Sequence, residues 1–93
     1  MATTGAVIGG VPVNAAAGLS SGARYIVENM RAFGVTAYYV EAAAAPFTSI
    51  DGERPQFFKT LEPGGVMGME VGANGFWFWC QNGTTRLAID EEA

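Results

Sequence analysis

Ninety-three residues with a net charge of −4 make an acidic chain of single-domain size. Its five basic residues, Arg24, Arg31, Arg54, Lys59 and Arg86, are scattered, which argues against nucleic acid and anionic membranes as partners. A single cysteine and no histidine exclude an intramolecular disulfide, a zinc or histidine-based metal site and a histidine-based catalytic triad, so no metal and no cofactor are expected.

Residues 1–22 carry no charge and are rich in small side chains. They read as an extended N-terminal arm or edge strand preceding a domain over 23–93. "AVIGGVPV" (6–13) predicts one short strand, held to a sheet edge by Pro12. Neither a signal peptide nor a membrane span is expected, because a basic leader is missing and glycines break the apolar run. The lone cysteine fits synthesis in a reducing cytoplasm.

Beyond the arm, "ARYIVENM" (23–30) alternates, with Tyr25 and Val27 on one face and Arg24 and Glu28 on the other. "RAFG" (31–34) turns the chain, and "VTAYYVE" (35–41) is a strand. Residues 42–55 form the longest loop, and "QFFKTL" (56–61) a further strand. "EPGG" (62–65) predicts a type II turn with Gly64 at positive φ. "VMGMEV" (66–71) places Met67, Met69 and Val71 on one face. "FWFWCQ" (76–81) and "TTRLAI" (84–89) are flanked by the Asn74-Gly75 and Asn82-Gly83 hairpin signals, which predict an antiparallel meander of the last three strands. "DEEA" (90–93) reads as a solvated tail. The expected fold is all-β: a small antiparallel β-sandwich or barrel of seven or eight strands.

Few residues point to chemistry. Cys80 lies within an aromatic strand, where desolvation makes a thiol inert. The carboxylates have no catalytic spacing, and "IDGE" (50–53) lacks the ligand series of a calcium loop. The chain is therefore not expected to be an enzyme.

The stretch "GFWFWCQNG" (75–83) stands out. Period two puts Phe76, Phe78 and Cys80 on one face and Trp77 and Trp79 on the other. The phenylalanine face suits the core. The tryptophans require cover from the core itself, from a neighbouring subunit or the N-terminal arm, or from a ligand such as a sugar ring. Val7, Ile8, Val11 and Val13 of the arm, with Trp77 and Trp79, are the candidate partner-interface residues.

The succession "YIVEN" (25–29), "TAYYVEAAAAP" (36–46), "LEPGG" (61–65), "GFWFWC" (75–80) and "GTTRLAIDE" (83–91) resembles the short β-rich virion proteins of tailed bacteriophages, in particular capsid decoration or cement proteins. That resemblance implies a sandwich or jelly-roll-like fold and assembly as a dimer or trimer. It also implies a place on the capsid surface, in contact with the major capsid protein or another virion protein. It carries over no functional residue. The alternative reading is a carbohydrate-binding or host-adsorption module at a tail or head-fibre base.

Overall fold

The computed structural model describes residues 3–92. Eight strands form two four-stranded antiparallel sheets. They are β1 (Thr3–Ile8), β2 (Val13–Asn14), β3 (Arg24–Asn29), β4 (Ala37–Ala42), β5 (Lys59–Leu61), β6 (Val66–Glu70), β7 (Gly75–Cys80) and β8 (Thr85–Glu91). One sheet has the order β1-β8-β3-β6 and the other β2-β7-β4-β5. β1 therefore pairs with β8, β2 with β7, β3 with β6 and β4 with β5. This nested pairing describes one long antiparallel ribbon. Rolling the ribbon lays β8 beside β3 and β7 beside β4, which is the jelly-roll arrangement.

The all-β expectation holds, but three local expectations do not. The last three strands are not a meander. β6 and β8 lie in one sheet and β7 in the other, so both connections cross between sheets. The Asn-Gly pairs accordingly do not make two-residue hairpins: neither asparagine has positive φ, and of the two glycines only Gly83 does. "QFFKTL" contributes only Lys59–Leu61 as strand. Asp90 and Glu91 are not a solvated tail but the end of β8, paired with Ile26 and Tyr25.

The N-terminal residues are also strands of the sandwich. β1 runs along β8, and β2 is fastened to β7 by Asn14, whose Oδ1 accepts the N–H groups of Phe76 and Ala16 at 3.0 Å each. A side chain at Gly75 would stand 2.8 Å from that amide, so glycine is required there. Both strands lie at sheet edges. The single strand expected over 6–13 is instead divided between them, with Pro12 in the connection. Residues 1 and 2 of the expected arm lie outside the described residues.

Alternation fills the core as the sequence indicates. Tyr25, Val27, Met69, Phe76, Phe78, Leu87 and Ile89 are all buried between the sheets. Phe78 is fully buried and stacks on Tyr39 with ring centroids 4.9 Å apart. The β5–β6 turn has Gly64 at φ 82°, and Gly65 N–H donates to Glu62 O at 2.7 Å, as a type II turn demands.

One buried polar residue ties the sheets together. Asn29 ends β3 with no solvent exposure. Its Nδ2 donates to Val35 O and Leu61 O, both at 2.8 Å, and its Oδ1 accepts the Thr85 hydroxyl at 2.6 Å. Its backbone N–H donates to Gly65 O, and its carbonyl accepts Gly64 N–H.

Phe78→Ala should destabilise the fold by about 3–5 kcal/mol, read as a loss of urea midpoint, because it empties a fully enclosed site. Asn29→Asp should cost at least about 3 kcal/mol at pH 7, because two carbonyls lose their donor and a carboxylate is buried. Burial holds the folded-state pKa of such a carboxyl above its unfolded value of about 3.9. The folded variant then binds the extra proton, so its stability deficit should widen as pH rises from about 4 to 7. A deficit independent of pH would contradict this account.

Candidate functional site

The groups capable of chemistry stay apart. Among the described residues no three of His, Cys, Asp or Glu gather as a metal cluster would require. Cys80 is buried, and its thiol donates weakly to Ile8 O at 3.6 Å. Desolvation pushes its pKa up, opposed in part by a hydrogen bond from the Thr85 backbone. A neutral thiol in that setting packs as a small apolar group.

The two tryptophans of β7 have different surroundings. Trp77 is half-buried, and its indole N–H donates to Ala42 O at 3.0 Å. Trp79 has no exposure at all. What covers it is the chain's own β4–β5 connection, residues 43–58, a cover absent from the sequence-based alternatives. Phe47 meets the indole edge-on at 5.3 Å and Phe58 at 5.8 Å, while Tyr38 of β4 stacks beside it at 6.2 Å. The loop is held in shape by Arg54. Its guanidinium donates to Gly52 O and Ile50 O and lies 4.0 Å from the centre of the Phe47 ring. The Trp79 N–H has no partner among the described residues.

Of the six predicted interface residues, four remain accessible and two do not. Val7, Val11 and Val13 are exposed, at 59%, 41% and 36%, and Trp77 is half-buried. Ile8 is fully buried in the core because it shares the inward face of β1 with Ala6, and Trp79 is sealed by the loop. Neither belongs to a docking surface. Ile50 of the long loop, which the sequence did not indicate, lies against Gly10 in the β1–β2 connection and is 65% exposed. The edge strands β1 and β2 and their connection thus carry several exposed apolar side chains.

A second surface lies at the opposite edge, where β5 and β6 are the outermost strands. An open groove of about 970 Å³ enters between the sheets there. Tyr39, Met67 and Phe76 line it, and Glu41 and Lys59 contribute charge. Phe57 stands at its lip with 80% exposure, beside Phe58. Sequence reading assigned Phe57 and Phe58 to a strand, and alternation would have turned one of them inward. A smaller hollow of about 240 Å³ beside Tyr38 includes Gln81 and Asn82 but not Asn74.

No family model, curated protein or solved structure matches this chain. The surfaces must be read from their own chemistry.

No described helix is long and apolar enough to cross a membrane. Both surfaces expose apolar side chains, Val7, Val11, Val13 and Ile50 at one and Phe57 and Phe58 at the other.

Arg54→Ala should loosen the loop over Trp79. In a Trp77→Phe background, the expected outcome is a red shift of tryptophan emission with a stability loss of about 1–2 kcal/mol. Unchanged emission would mean that the loop holds without its arginine.

Proposed function

We propose that the chain is a non-enzymatic structural protein of a bacteriophage virion, a capsid decoration or cement protein that binds the capsid surface and stabilises the head. The observation that carries this reading is the group of exposed apolar residues Val7, Val11, Val13 and Ile50 on and beside the edge strands β1 and β2. Apolar side chains left exposed together are a mark of protein contacts. The jelly-roll arrangement supports the reading by analogy, since it recurs in viral capsid and lectin domains. An acidic, thermodynamically modest domain repeated over a capsid lattice gains avidity from many weak contacts.

The carbohydrate-binding alternative has lost part of its basis. Trp79 is enclosed by its own loop and presents no ring face to a sugar. What remains to it is half-buried Trp77 and the groove at the other edge, with Tyr39 and Phe57 beside Glu41.

Mass spectrometry of purified particles should find the chain in stoichiometric amount. Val7→Asp combined with Val11→Asp should weaken its rebinding to stripped capsids at least about tenfold, a loss of roughly 1.4 kcal/mol, with far-ultraviolet circular dichroism unchanged. Absence of the chain from particles overturns the proposal. Glycan-array binding that is lost on Phe57→Ala would favour the alternative.

A further inference from the structure

We infer that two copies of this chain associate through β6, antiparallel about Gly68, so that the β1-β8-β3-β6 sheets of both join into one continuous sheet. This inference is independent of the virion reading. It starts from which backbone groups of β6 are already used. Val71 N–H donates to Ala23 O, and Val71 O accepts Gly22 N–H. At the other end, Gly65 O accepts Asn29 N–H. Residues 65 and 71 thus direct their polar groups towards β3, and by alternation so do Met67 and Met69. The N–H and C=O groups of Val66, Gly68 and Glu70 point the other way, to the free side of the sheet, where no strand follows.

Natural edges are blunted by brevity, proline, lysine, bulges or inward charges. β2 has only two residues and follows Pro12. β5 has three and carries Lys59. β6 has five residues and neither lysine nor proline. Its central residue is Gly68, where a Cβ would meet nothing within 4 Å. A two-fold axis at Gly68 opposes Gly68 to its own copy, and Val66 to Glu70 of the second copy. All three opposed pairs are of the hydrogen-bonded kind, with Cα atoms about 5.5 Å apart. Each Glu70 keeps its own Arg24 partner, 3.5 Å away on the outer face.

Charge selects a second copy of this chain as the occupant. Gly68 lines the open groove, so the two-fold axis brings the two grooves together. Glu41 and Lys59 line the same groove with opposite signs, and neither forms an ion pair among the described residues. A surface carrying both signs unpaired is complementary to itself across a two-fold axis. The β1 edge differs: no residue before Arg24 is charged, and the charges nearest to it, Arg86 and Asp90, stand one strand further in, on β8. Phe57, 80% exposed at the groove lip, supplies the apolar area that closes the seam.

Sedimentation velocity of the full chain from micromolar to millimolar concentration tests this. The expected result is a reversible rise to twice 9.7 kDa. The amides of Val66, Gly68 and Glu70 should exchange slowly in the concentrated sample and fast in the dilute one. Gly68→Pro removes an N–H that β3 does not use, and should raise the dissociation constant at least about tenfold, or 1.4 kcal/mol, with unchanged circular dichroism. Gly68→Lys sets two cations opposite each other and should weaken the dimer similarly, with recovery in high salt. A monomer at millimolar concentration overturns the inference. So does a dimer whose β6 amides exchange as fast as in the dilute sample. Should Gly68→Pro fail to fold, a Gly68→Lys dimer of undiminished strength overturns it alone.

Discussion

The fold depends on a single buried amide. Asn29 sits where β3 leaves one sheet, and its side chain reaches the other sheet through Leu61 O, the incoming segment through Val35 O, and the start of β8 through Thr85. Both its N–H groups and its oxygen are used. A buried amide left unpaired would cost more than the net gain from pairing it, so the four segments it joins hold one relative position. In a rolled ribbon that matters, because slipping any strand by one residue exchanges its core face for its solvent face. Apolar packing tolerates small shifts, whereas the Asn29 hydrogen bonds do not.

Much of the architecture follows from period two. The inward set Tyr25, Val27, Met69, Phe76, Phe78, Leu87 and Ile89 is legible because alternation decides which side of a strand is dry. Period two does not say which sheet a strand joins. The Asn-Gly pairs at 74–75 and 82–83 are local turn signals, and a local signal reads the same whether the chain folds back beside itself or passes over to the opposite sheet. Alternation from Val27 puts Asn29 on the inward face, but nothing in the sequence singled it out. Two of its side-chain partners, Leu61 and Thr85, lie far off along the chain. The cover over Trp79 was hidden for the same reason, since Phe47 and Phe58 reach it from a loop whose sequence specifies only that it turns.

β7 shows how both faces of a strand can be dry in a domain this small. Phe76, Phe78 and Cys80 enter the space between the sheets, while Trp79 is roofed from outside by Phe47, Phe58 and Tyr38. The molecule therefore has a main core and a small aromatic annex, with Arg54 closing the annex from above. Among the described residues the annex gives the indole N–H of Trp79 no acceptor, a local cost offset by the aromatic area it encloses.

The order in which the strands pair has a consequence for synthesis. β8 is made after the other seven strands described, yet it lies inside its sheet, between β1 and β3. Only β4 and β5 are both adjacent in sequence and hydrogen-bonded, and they are separated by the long loop. Early strands thus find few of their neighbours while the ribosome is still adding residues. β1 in particular waits until β8 has been made. Folding of this kind is governed by distant contacts and is slow relative to helical domains of similar length. The nascent protein has to remain soluble with its apolar strands unpaired, and an abundance of glycine and alanine, with only three leucines, lowers the stickiness of that interval.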